Sequence, residues 1–117
     1  MLPESDRIRL RHMLDAAREA LRYAEGRSRA DLNSDTMLLR ALVKCIEIVG
    51  EAASRIGTET RRLSPSIPWD QICGMRNRLI HAYFDINKDA VWKTVADDLP
   101  QLERELSEML GTDAGES

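Results

Sequence analysis

The chain has 117 residues, 43% apolar and 32% charged, enough to close one modest core and too few for most large catalytic scaffolds. No apolar run approaches the roughly 18 residues that span a bilayer, and the segment Met1 to Arg7 lacks the basic-then-apolar order of a secretory signal, so a soluble cytoplasmic protein with no membrane partner is expected. A net charge of −3 argues against a broad electrostatic grip on nucleic acid, so any RNA contact has to be local.

The first periodic segment runs from about Ser5 to Ala24, with Leu10, Met13, Leu14, Ala17, Leu21 and Ala24 at helical spacing and Ser5 or Asp6 as its cap. A polar connection over residues 25–31 follows. The spacing then predicts a long central helix from Asn33 or Ser34 to Ile56, its stripe built from Met37, Leu38, Leu42, Cys45, Ile46 and Val49 and continued to Ile56. Residues 57–68 hold Gly57, Pro65 and Pro68 and read as a loop. A third helix is predicted over residues 68–82, with Pro68 in its first turn. A fourth starts after Asn87 as cap and bends or divides at Pro100. Residues 111–117 have nothing to bury and are expected to be a disordered tail after a single domain of residues 1–110. The fold class is therefore all-α, an antiparallel bundle of four helices or slightly more. Cys45 and Cys73 fall inside apolar helical patterns and form no CxxC pair, so both are read as reduced core thiols and neither a disulfide nor a zinc site is expected.

Histidine exchanges protons near neutral pH, and the chain has two, His12 and His81. His12 stands beside Arg9 and Arg11, off the apolar stripe, and reads as a solvated surface residue. His81 sits in Arg76-Asn77-Arg78-Leu79-Ile80-His81-Ala82-Tyr83, where two guanidiniums, an amide, an imidazole and a phenol crowd eight positions. The two arginines stand out because residues 63–117 carry 5 basic and 10 acidic side chains. On the residues alone, a cation stabilising a helix C-terminus competes with a catalytic role. At about 100° per residue, Arg76 and His81 are offset by about 140° on an ideal helix. Both can address one substrate only if the helix breaks near the motif or if two copies of the chain combine their motifs. Two facing copies would supply two imidazoles and at least two guanidiniums, enough to hold a phosphodiester and move protons on it without a metal.

The R-x4-H-x-Y string, with Ile48-Val49-Gly50-Glu51-Ala52-Ala53, Trp69-Asp70-Gln71-Ile72 and Val91-Trp92-Lys93-Thr94-Val95 around it, resembles the HEPN superfamily, specifically its HepT-like toxins, over nearly the whole chain. The resemblance implies a metal-independent endoribonuclease toxin working as a homodimer on RNA, without a cofactor. In it His81 serves general acid/base chemistry and Arg76 stabilises the charged transition state. It also implies that Tyr83 receives AMP from a minimal nucleotidyltransferase antitoxin, placing bulk and negative charge where a phosphate must bind. Asn77 and Arg78 are candidates for phosphate contact, although Arg78 can equally pair with Glu51 or Asp85. Glu51, in a helix expected to be buried, is read as the structural partner of a motif arginine. A second reading is a non-catalytic HEPN module that docks to a nucleotidyltransferase or binds a nucleotide.

Overall fold

The computed structural model describes residues 2–82 and 85–113, with the side chains of residues 81, 82, 112 and 113 excepted. Two helices, α1 (Glu4–Ala24) and α3 (Thr36–Ala53), lie along one another at the centre of an all-α bundle, joined through the single turn of α2 (Asp31–Ser34). Their seam follows the apolar spacing: Leu10, Met13, Leu14, Ala17 and Ala20 from α1 meet Leu42, Ile46, Val49 and Ala53 from α3, all buried. Met37, expected in the stripe, is instead 84% exposed. It shares the outer face of α3 with Lys44, one position ahead of the buried Leu38. The N-cap of α3 is Asp35, whose Oδ1 accepts the Leu38 N–H at 3.0 Å.

Asp6 does not cap α1, which is preceded by Pro3 and begins at Glu4. It is buried, and its carboxylate accepts from Thr60 Oγ1 at 2.5 Å and from the Gly57 N–H at 3.4 Å. That contact anchors α4 (Thr58–Arg62), a short helix inside the segment expected to be loop. Arg61 then secures the crossing: its guanidinium donates to the carbonyls of Ala53 and Ile56 at 3.1 Å each and lies over the Trp69 ring.

The predicted third helix is three elements. Helices α5 (Trp69–Cys73) and α6 (Met75–Leu79) meet at Gly74, and the chain leaves helical geometry at Ile80 with φ −125° and ψ 106°. The Leu79 carbonyl takes the Asn87 N–H at 2.7 Å, which ties the strand pair to the end of α6. Strand β1 (Ile80–Ala82) pairs antiparallel with β2 (Asp85–Ile86), Ile80 opposite Ile86 and Ala82 opposite Asp85, with the register shifted between them. Asn87 caps α7 (Lys88–Lys93) as expected, its Oδ1 accepting the Ala90 N–H at 3.0 Å.

A π-helical turn over Thr94–Asp98 links α7 to α8 (Leu99–Asp113), with the Leu99 N–H reaching back five residues to the Thr94 carbonyl. Pro100 has no N–H and its ring crowds the preceding turn, so the widened turn forms at the predicted bend. Helix α8 packs on α1 and continues through Asp113, into the stretch expected to be tail. On the acidic face of α8, Glu103 pairs with Arg18 at 2.9 Å and Glu105 accepts from Ser66. Cys45 and Cys73 are both free thiols, the first buried and the second half-buried. No helix is long and apolar enough to cross a membrane.

Candidate functional site

Helices α5 and α6 rest on the outer flank of α3, and a glycine sets how closely. A Cβ at Gly50 would lie 3.0 Å from the Ile72 carbonyl oxygen, so the two backbones touch there. One turn along the same contact, Arg76 Nε donates to Glu47 Oε2 at 2.7 Å. The two contacts are in register, since Glu47 precedes Gly50 by three residues and Arg76 follows Ile72 by four. Glu47 engages Nε, so the terminal nitrogens of the guanidinium remain for a ligand.

Glu51 was the expected partner of a motif arginine. It is exposed and pairs with Arg55 on its own helix at 3.0 Å, while Glu47, one turn earlier, takes Arg76. Both glutamates lie on the flank of α3 that α6 approaches, and α6 crosses nearer to Glu47.

The motif residues do not all converge. Arg76 and Glu51 border one groove of about 390 Å³, together with Glu47, Arg55 and Lys44 from the α3 side and Arg9 and His12 from α1. Arg78 faces a different groove, of about 310 Å³, beside Asp97, Asp98 and Glu105. It forms no ion pair within 4 Å among the described residues, so neither Glu51 nor Asp85 is its partner there. Asn77 is exposed and borders neither groove. The backbone of His81 lies on β1, two residues beyond the end of α6. Tyr83 lies outside the described residues.

Sequence reasoning missed Glu47 and the basic companions of Arg76. Lys44, Glu47, Glu51 and Arg55 recur at three and four residues and mark a polar edge beside the apolar stripe of α3. Arg9 and His12 repeat that spacing on α1. Only the packing of α1, α3 and α6 brings the two edges to one groove.

The family model described as Ribonuclease HepT-like matches residues 13–109. Among curated proteins, "Putative RNase TTE0752" of Caldanaerobacter subterraneus subsp. tengcongensis is 37% identical over 101 residues, 86% of this chain and 90% of its own. "Putative RNase MJ1380" of Methanocaldococcus jannaschii is 31% identical over 94 residues, 80% of this chain and 86% of its own. "Probable ribonuclease HepT" of Thermococcus cleftensis is 45% identical over 62 residues, 53% of this chain and 56% of its own. No solved structure matches the chain.

Proposed function

The chain belongs to the HepT-like ribonuclease family, and from that premise we propose that it is a metal-independent endoribonuclease that cleaves RNA at a site shared by two copies. The observation that carries the pairing of Arg76 with His81 is the stop of α6 at Leu79, while the second copy comes from the resemblance to the HepT-like toxins. On an unbroken helix Arg76 and His81 would diverge by about 140°. Extended backbone over Ile80–Ala82 lifts that angular constraint and supports a common site for both residues.

In the proposed reaction a ribose 2′-hydroxyl gives its proton to the His81 imidazole of one copy as O2′ attacks the adjacent phosphorus. The P–O5′ bond breaks, and O5′ takes a proton from the second imidazole, which enters the step as the imidazolium, leaving a cyclic phosphate and a free 5′-hydroxyl. Arg76, its Nε held by Glu47, aims its remaining N–H groups at the charge that accumulates on the phosphoryl oxygens. The nucleophile is part of the substrate, so the protein supplies orientation, proton transfer and electrostatic stabilisation.

In the same proposal the protein is the toxin of a type VII-like toxin–antitoxin pair, silenced when a minimal nucleotidyltransferase transfers AMP to Tyr83. Adenylate two residues from His81 would repel and exclude the RNA phosphate.

The test is RNA cleavage by the purified protein. His81→Ala and Arg76→Ala should each abolish it, and adding excess His81→Ala to the unmutated chain should lower activity beyond dilution, because each hybrid dimer keeps a single imidazole. Unchanged cleavage by His81→Ala overturns the catalytic assignment. After co-expression with the nucleotidyltransferase, an adenylate-sized mass increment should vanish in Tyr83→Phe, and its persistence there places the modification elsewhere.

A further inference from the structure

The groove beside Arg76 collects cations on a chain whose net charge is −3. Both carboxylates that border it are engaged, Glu47 by Arg76 and Glu51 by Arg55. Arg9 and Lys44 have no carboxylate within 4 Å among the described residues, and His12 stands one turn along α1 from Arg9. Lys44 and His12 are exposed and Arg9 half-exposed, so the core gains little from gathering them here. Like charges drawn together without counter-charge repel one another, and a bound polyanion relieves that repulsion. Among the described residues that border the groove none is aromatic, so they offer no platform on which a base could stack.

We propose that Arg9 and Lys44, with His12 beside them, contact RNA phosphates and extend the substrate track from Arg76 across α3 onto α1. The proposal rests on the reading of Arg76 as an RNA-binding residue and adds the direction in which the strand runs. Its chemistry is backbone recognition: Arg9 offers a fork of donors and Lys44 a point charge, and neither reads sequence.

The test measures binding of a short fluorescein-labelled oligouridylate across a salt series, using the full chain with His81→Ala to prevent cleavage. A single-stranded phosphate contact contributes roughly 0.7 to the slope of log affinity against log salt. Adding Arg9→Gln and Lys44→Gln should therefore flatten the slope by about 1.4. Arg9→Lys with Lys44→Arg, which keeps both charges, should leave it in place. An unchanged slope in the Gln variant overturns the track. Loss of the dimer in that variant, read by light scattering, also overturns it and assigns the cations to an interface between copies. The catalytic reading fails separately: a flattened slope with no cleavage by the unmutated chain supports the track and removes the enzyme. Cleavage with an unchanged slope does the reverse.

Discussion

Glu47 accepts the Arg76 Nε–H at 2.7 Å across the joint between α3 and α6, one turn from where Gly50 meets the Ile72 carbonyl. Its side chain is 28% exposed and that of Arg76 is 56% exposed, so the pair contributes little to folding. In the proposed reaction its effect is to fix the direction of the guanidinium that meets the phosphoryl group. Glu47→Gln is expected to lower kcat roughly tenfold while leaving KM and the denaturation midpoint nearly unchanged, because the loss falls on transition-state geometry. Steady-state kinetics with a denaturant titration separate that outcome from general destabilisation.

Gly50 and Gly111 make opposite predictions for the same substitution. At Gly50 a methyl group meets the backbone oxygen of Ile72, which can yield only if α5 moves. Gly50→Ala should therefore cost about 1–3 kcal/mol despite the better helix propensity of alanine. At Gly111, within α8, nothing lies within 4 Å of the added carbon, and Gly111→Ala should stabilise by up to about 1 kcal/mol. Chemical denaturation of both variants checks the signs.

The buried Asp6 joins α1 to the start of α4. Asp6→Ala removes the acceptor used by Thr60 Oγ1 and the Gly57 N–H and is expected to cost about 1–3 kcal/mol. Combined with Thr60→Val, the losses should be less than additive, as measured by a double-mutant cycle.

Acid should loosen the entry to α3 first. The Arg27 guanidinium holds the Asp35 carboxyl below its ordinary 3.8, helped by the Leu38 N–H. The Ser28 N–H, followed by Arg27, does the same for Asp31. Both groups bind protons less readily folded than unfolded. Their stabilisation is present above about pH 4 and is lost as pH falls through the lowered values. Asp31→Asn with Asp35→Asn should flatten the decline in denaturation midpoint below about pH 4 relative to the unmutated chain.

Periodicity located the long helices well, because a seam of Leu10, Met13 and Leu14 against Leu42, Ile46 and Val49 leaves a repeat of three and four that the chain itself displays. Asn87 was legible for the same local reason, since a cap acts within three residues. The interactions that shape the site act over longer separations. The bond from the Asn87 N–H to the Leu79 carbonyl at the end of α6 forms only after the chain turns back, and apolar spacing through Ile80 predicts continued helix. The choice of Glu47 over Glu51 depends on where α6 crosses α3, which four-residue spacing on a shared flank cannot distinguish. His12 was read correctly as exposed, while its proximity to Arg76 required α1 and α3 to be packed together.

The Cys45 thiol is buried against the α1–α3 seam and donates to Glu19 at 3.5 Å. Burial, reinforced by that carboxylate, pushes its pKa up to about 12, which suppresses the nucleophilic thiolate. Alkylation of Cys45 therefore has to wait until the seam parts. Its rate under native conditions is a clock for that opening, read by mass spectrometry of the alkylated chain.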